Sequence, residues 1–285
     1  MPRFCRAHGF SLVEVVVAIG VIGVLISILV PTISIIRDHA GRAKCASNLR
    51  DIGMAMINYS QAERDNSFPR APYNPKQHLQ LDNAGYLVPN TFGKSGYVGE
   101  NNVPASLFLL MKTQHLSPKM FVCPATDGQP GFVNSNPEIS SNWEQIPKNM
   151  NYSLATPFPS PAATLAGFKW KSSLGASFPL LADINPGTRG GANPPNNVVA
   201  PPHDASTRDM AAANSNNHKN KGQNVVFGDC HVEFHSTPYC GMQRDGFRDN
   251  IYTAGNGDRG ICDDTALPVD EKDAVMLPTD DPGGK

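Results

Sequence analysis

Residues 9–36 read GFSLVEVVVAIGVIGVLISILVPTISII, an apolar run interrupted near its start by one carboxylate, Glu14. From Val15 to Ile36 there are 22 consecutive residues without a charge, which makes roughly 33 Å of helix and spans a bilayer core of about 30 Å. The density of Val, Ile and Leu and the place of the run near the chain start favour a membrane span over a buried helix of a soluble core. A cleaved secretory signal is the rival, because Arg3 and Arg6 form a basic region ahead of the run. The run exceeds the roughly 7 to 15 apolar residues of such signals, and no A-x-A-like site follows before Arg37. Cys5 precedes the run, so it does not take the place of a lipoprotein cysteine. An ionised side chain within a span costs at least about 2.5 to 3.5 kcal/mol, so Glu14 requires a partner.

Working outward, Pro31 lacks the N–H of an intrahelical hydrogen bond and is expected to kink the helix. Gly20 and Gly23 permit close packing of neighbouring helices. Beyond the run, Ile36, Ala40, Ala43, Leu49, Ile52, Met56 and Tyr59 recur at three- or four-residue spacing. One amphipathic helix is therefore expected to continue over 37–64, with a stripe that needs a sheet to cover it. Arg37, Arg42 and Lys44 outnumber Arg3 and Arg6, which opposes the orientation expected from a simple positive-inside count.

The rest of the chain is different in composition. Its 285 residues suffice for one large or two small domains, and charged residues make up only 17% while Gly and Pro number 25 each, so a loop-rich body is expected. A net charge of -1 gives no basic groove, and no nucleic-acid partner is expected. Six cysteines are too sparse for a small disulfide scaffold, and the absence of any C-x-x-C pair argues against a zinc ribbon or a thioredoxin-like dithiol. There is no internal repeat. After NSFPRAPYNP the body begins: Ala105–Leu116 reads as a short helix, and Met120–Pro124, NYSLA, GFKWK and FPLLADI read as strands. Asn224–Phe234, NVVFGDCHVEF, reads as a hairpin turning at Asp229–Cys230. In that register Val225, Phe227, Val232 and Phe234 share one face, and Gly228, His231, Glu233 and His235 share the other with Val226. Cys230 stands where such a turn favours glycine, at a cost of roughly 1 kcal/mol if its φ is positive.

Gly9 to Glu14, G-F-S-L-V-E followed by the apolar run, resembles the type III signal of type IV pilins and pseudopilins. The resemblance implies cleavage after Gly9 by a prepilin peptidase on the cytoplasmic side, methylation of the new N-terminal Phe10, and loss of MPRFCRAHG. It also implies a partner for Glu14: the amine of Phe10, one helical turn away in the same chain or on a neighbouring subunit during assembly. Pilin-like proteins often carry a proline at the place of Pro31. A second stretch, Asn217 to Phe234, is similar to the prepilin-type H-x9-D-G domain family, of no established biochemical role, through His218, Gly222, Asn224, Asp229 and His231. LLADINPG, FVCP and DNIYT look like segments of one of its subgroups. Two departures stand out: ten residues separate His218 from Asp229, and Cys230 replaces the glycine.

His203, Asp204, His218, Asp229, His231, Glu233 and His235 include the residue types of a metal hydrolase, but alternate residues on one strand face lie about 6.6 to 7 Å apart and preform no site. Asp258, Asp263 and Asp264 are candidate calcium ligands, since calcium takes loop oxygens and some pseudopilins hold it in a C-terminal loop, although the EF-hand spacing is absent. No nucleophile elbow or P-loop occurs, and no catalytic residue is assigned. Of the five cysteines beyond the leader, Cys240 with Cys262 and Cys123 with Cys230 are the expected pairs, which leaves Cys45 as the odd thiol.

The expected architecture is α+β and pilin-like, a long N-terminal helix packed on a small antiparallel sheet with extensive loops. Its parts are a leader over 1–9, a transmembrane helix over 10–36, an amphipathic continuation over 37–64 and an extracytoplasmic globular domain over 65–285, with a flexible tail from about 265. The resemblance implies a non-enzymatic, single-pass inner-membrane subunit whose partners are prepilin peptidase and other pilin-like subunits of a type II secretion or type IV pilus machine. The alternatives are a membrane-tethered binding module that does not polymerise and, third, an extracytoplasmic metal-dependent hydrolase. No cofactor is expected apart from the calcium candidate.

Overall fold

The structure, a computed structural model, describes residues 11–81, 99–131, 140–187, 201–244, 246–255 and 265–280. It divides into two compact units, Met1–Ala40 and Gly41–Lys285. Helix α1, Leu12–Ala62, runs through Pro31 without interruption and ends within two residues of the expected Arg64.

In the first unit the apolar side chains from Leu12 to Ile36 are exposed. In the second, the buried residues of α1 are Cys45, Asn48, Leu49, Ile52, Gly53, Ala55, Met56 and Ser60, one stripe at helical spacing. Of the expected stripe, Leu49, Ile52 and Met56 are buried and Tyr59 is half-buried, whereas Ile36, Ala40 and Ala43 are exposed. Burying each of the three large residues contributes about 1.5 to 3 kcal/mol.

The stripe packs on a five-stranded antiparallel sheet of order β4-β3-β2-β1-β7, in which β1 is Tyr152–Ala155, β2 Pro179–Asp183, β3 Gln223–Phe227, β4 Val232–His235 and β7 Met276–Leu277. The three central strands are buried along their whole length, and their polar members Ser153, Asp183, Gln223 and Asn224 are hydrogen-bonded inside the protein. At the edge, β4 is half-buried with Glu233 exposed, a charge that discourages further strand pairing. Strands β5, Tyr239–Arg244, and β6, Phe247–Asn250, form a separate antiparallel ribbon. Helix α2, Val103–Thr113, is capped by Asn102, whose Oδ1 accepts from the Ala105 N–H, and its Val103–Met111 segment is buried. Two short helices, α3 (Pro161–Ala166) and α4 (Thr207–Ala212), and two 3-10 turns, Pro118–Phe121 and Asn216–His218, also occur among the described residues.

Several expectations are corrected. The β3–β4 hairpin pairs Val226 with Val232 and Asn224 with Phe234, one residue out of the expected register. Gly228, Asp229 and Cys230 form a three-residue loop, with Cys230 in the left-handed region at φ 64°. This third loop residue turns Val225 and Phe227 to the face of His231, Glu233 and His235, and Asn224, Val226 and Phe234 to the other. Met120–Pro124 is no strand: a 3-10 turn, Pro118–Phe121, leads into it. GFKWK contributes only an isolated bridge, Ser67 with Lys171. The C-terminal segment expected to be flexible from about 265 instead buries Ala266, Ala274, Val275, Met276 and Leu277 and supplies β7.

The cysteine pairing is corrected as well. Cys45 on α1 is bonded to Cys123, across a sequence separation of 78, while Cys230 and Cys240 are buried thiols. Cys45 is therefore not the odd thiol, and Cys123 does not pair with Cys230; Cys262, the expected partner of Cys240, lies outside the described residues. A crosslink closing a loop of this length stabilises the fold by about 4.5 kcal/mol in the chain-entropy account.

Gly53 sets how closely α1 approaches the sheet. A Cβ there would lie 2.9 Å from Val226 Cγ1 and 3.5 Å from Cys230 Sγ. Replacing glycine in a helix gains up to about 1 kcal/mol of propensity, but overpacking costs about 1 to 3 kcal/mol. Gly53→Val is expected to lower stability by about 1 to 3 kcal/mol in chemical denaturation of the detergent-solubilised chain. Wild-type stability in that variant would show that helix and sheet are not in tight contact here.

Candidate functional site

The described N-terminal segment opens with a reciprocal cap. Ser11 Oγ accepts from the Glu14 backbone N–H at 3.2 Å, and Glu14 Oε2 accepts from the Ser11 backbone N–H at 2.8 Å. This is a capping box, S-x-x-E, in which the carboxylate also meets the positive end of the helix dipole. The S-x-x-E spacing in SLVE is the sequence signal for it, and it gives Glu14 a local partner. Farther along, the hydroxyls of Ser27, Thr32 and Ser34 donate to the carbonyls of Val24, Leu29 and Pro31. Each of these hydroxyls is thus satisfied within the helix, as an apolar surrounding requires. Gly9 and Phe10 lie outside the described residues.

The second centre is buried. Asp183, at the end of β2, has no exposed surface. Its Oδ1 accepts from Asn217 Nδ2 at 3.0 Å, and its Oδ2 accepts from the Asn224 backbone N–H at 2.7 Å and Asn224 Nδ2 at 3.0 Å. His218 Nε2 lies 3.1 Å from the same Oδ2, and the Tyr252 hydroxyl donates to the Asp183 carbonyl at 2.9 Å. The disulfide is adjacent, with Cys123 Sγ 4.0 Å from His218 Nε2. Asn48 of α1 reaches the Val122 carbonyl and the Tyr152 hydroxyl with its Nδ2.

This centre collects several islands of the sequence. LLADINPG supplies Asp183, FVCP supplies Cys123, DNIYT supplies Tyr252, and the Asn217 to Asn224 stretch supplies the imidazole and two amides. Gly222, at φ 146°, is a close approach: a Cβ there would fall 2.2 Å from the His235 carbonyl oxygen. Asp183 is not among the residues that motif and spacing single out. The signal for it is an acid inside an otherwise apolar strand, a position that demands donors. Chemically the arrangement fixes an anion with four donors and presents no open face.

Asp229 and His231 stay apart from this centre. The His231 backbone N–H donates to Asp229 Oδ1 at 3.0 Å, which holds the Asp229 carboxyl below its usual range, and the imidazole Nδ1 contacts the same oxygen. His231 stacks on Phe227 at 4.5 Å between ring centroids, and His235 lies 3.3 Å from Glu233. His203 stacks on Phe247, so the histidines named in the sequence do not converge. The calcium candidates Asp258, Asp263 and Asp264 lie outside the described residues.

A third cluster has no motif in the sequence. Arg244, at the end of β5, donates through Nη1 to Asp249 Oδ1 at 2.6 Å and the Gly255 carbonyl at 2.8 Å, and through Nε and Nη2 to Asp270 Oδ2 at 3.1 and 2.7 Å. Asp273 Oδ1 lies 3.4 Å from the same Nη1, and its Oδ2 accepts from the Val269 and Gly255 N–H groups. Three carboxylates thus share one guanidinium. Burial, then the charge of Asp273, holds the Asp249 carboxyl well above its usual range, and burial pushes that of Asp273 up to about 6.

A long N-terminal helix with an uncovered apolar half, its second half packed on an antiparallel sheet, is an α+β, pilin-like arrangement. Residues 5–30 match the family model of the prokaryotic N-terminal methylation motif. No match was found among curated proteins or solved structures. The motif implies processing by prepilin peptidase and, with the apolar helix, anchoring in the membrane.

Linkage gives the Arg244 cluster a pH signature. The folded Asp273 carboxyl, pushed up to about 6, binds its proton before the unfolded one near 3.8. Its contribution to stability is complete below the unfolded value and is lost as pH rises through about 6. Asp273→Asn is expected to flatten the stability profile across that window in denaturant titrations at stepped pH. An unaltered slope would place the proton elsewhere.

Proposed function

We propose that the chain is a non-enzymatic pseudopilin-like subunit, cleaved after Gly9 by prepilin peptidase, methylated on Phe10, held in the inner membrane and assembled through its N-terminal helix into a short filament of a type II secretion or type IV pilus machine. The observation that carries this reading is the conjunction of the methylation motif at residues 5–30 with an exposed apolar helix that opens on SLVE. The globular domain faces away from the cytoplasm in this reading.

Scission changes the electrostatics at the head of the helix. In the lipid, Glu14 draws on the Ser11 N–H and the helix dipole, which offset part of the cost of its charge. Cleavage adds an ammonium group at Phe10, and the carboxylate is neutralised by that group or by the one on a neighbouring subunit. Extraction of some twenty apolar residues from lipid is feasible only if other helices replace the bilayer around them, so assembly and removal from the membrane are one event.

Glu14→Ala separates this function from that of a tethered binding module. The variant is expected to fractionate with the membrane like the wild type and to disappear from sheared or co-purified filaments. Equal recovery of both proteins in every fraction would favour the non-polymerising module.

A further inference from the structure

The sulfurs of Cys45 and Cys123, a carboxylate oxygen of Asp183 and a ring nitrogen of His218 all lie within 4.8 Å of one another. Two soft sulfur ligands, an imidazole and a carboxylate form a zinc-type donor set. In a tetrahedral zinc site, bond lengths of about 2.0 to 2.3 Å place the donors about 3.3 to 3.8 Å apart. His218 Nε2 already lies 3.1 Å from Asp183 Oδ2 and 4.0 Å from Cys123 Sγ. The two sulfurs, held by their covalent bond, are closer than zinc ligands sit, and the imidazole and carboxylate have to separate by a few tenths of an ångström. The four residues come from four segments: α1, the loop after the Pro118–Phe121 turn, β2 and the Asn216–His218 turn.

We propose that the Cys45–Cys123 disulfide and a four-coordinate zinc site are alternative states of one crosslink, the zinc site being made of Cys45, Cys123, Asp183 and His218. A dithiol reductant breaks the S–S bond, delivers two electrons and two protons to the sulfurs, and is itself oxidised to a disulfide. Zinc then displaces the two thiol protons to solvent and binds both thiolates, the imidazole and the carboxylate. Asn217 and Asn224, which already donate to Asp183, orient the carboxylate from outside the ligand shell. All four ligand residues are buried, so the site is closed and structural, with no position open for a substrate. Its consequence is that α1 stays fastened to the domain whether the thiols are oxidised or reduced.

The test uses the full-length chain in detergent with Cys5, Cys230, Cys240 and Cys262 replaced by alanine, so that Cys45 and Cys123 are the only thiols. The chain is reduced with a phosphine, freed of reductant and titrated with cobalt(II) as the spectroscopic stand-in for zinc. The expected result is one cobalt per chain with a thiolate-to-metal charge-transfer band, displaced by zinc, and no such band from the oxidised protein. His218→Gln is expected to weaken zinc binding by about tenfold or more, since loss of even an outer-shell partner costs that much. Should that variant fail to fold, the comparison of oxidised with reduced protein decides alone. The proposal is overturned if the reduced, folded chain binds no cobalt, if it binds cobalt equally when oxidised, or if circular dichroism shows that reduction unfolds it.

Discussion

A carboxylate withdrawn from water has to be met by hydrogen-bond donors, and that constraint organises the globular unit of this chain. In the globular unit, Asp183 has no exposed surface and collects donors from Asn217, Asn224 and His218. Those donors come from segments distant in sequence, so satisfying one side chain fixes how β2, β3 and the turn before β3 meet. An unpaired carboxylate in that position would cost several kcal/mol, enough to cancel much of the stability of an ordinary domain. In the N-terminal unit the exposed Glu14 is met by local means, through the N–H of Ser11 and the head of its own helix.

The two centres differ in what they leave available. Asp183 is closed, and its surroundings serve to hold α1 through Cys45, Asn48 and the tight approach at Gly53. Glu14 is exposed, together with the apolar side chains that follow it. A domain that grips the second half of a helix while the first half is uncovered suits a subunit whose helix exchanges a lipid surrounding for a protein one. The disulfide ties the second half of the helix to the domain at Cys45, so a force on the helix is borne by a covalent joint as well as by packing.

Much of this was legible in the sequence. The helix and its end followed from periodicity, and the central strands from apolar runs bounded by turn residues. The hairpin arms were also evident, but not their register, since Cys230 accepts a left-handed conformation usually left to glycine and so adds a third residue to the loop. Disulfide connectivity is a property of three-dimensional proximity, and spacing alone led to the wrong partners. The Asp183 centre was hidden for a related reason: the sequence marks His218, Asn224 and the islands that hold Asp183, Cys123 and Tyr252, but only the sheet brings them together. The Arg244 cluster was hidden in the same way, its acids spread from Asp249 to Asp273 and gathered by the ribbon and the segment leading to β7.

The central functional claim turns on a covalent event at the head of α1, and the mass of the intact mature protein tests it most directly. The account predicts a chain that begins at Phe10 and carries one added methyl group. A mass that retains Met1 and the whole leader would contradict it.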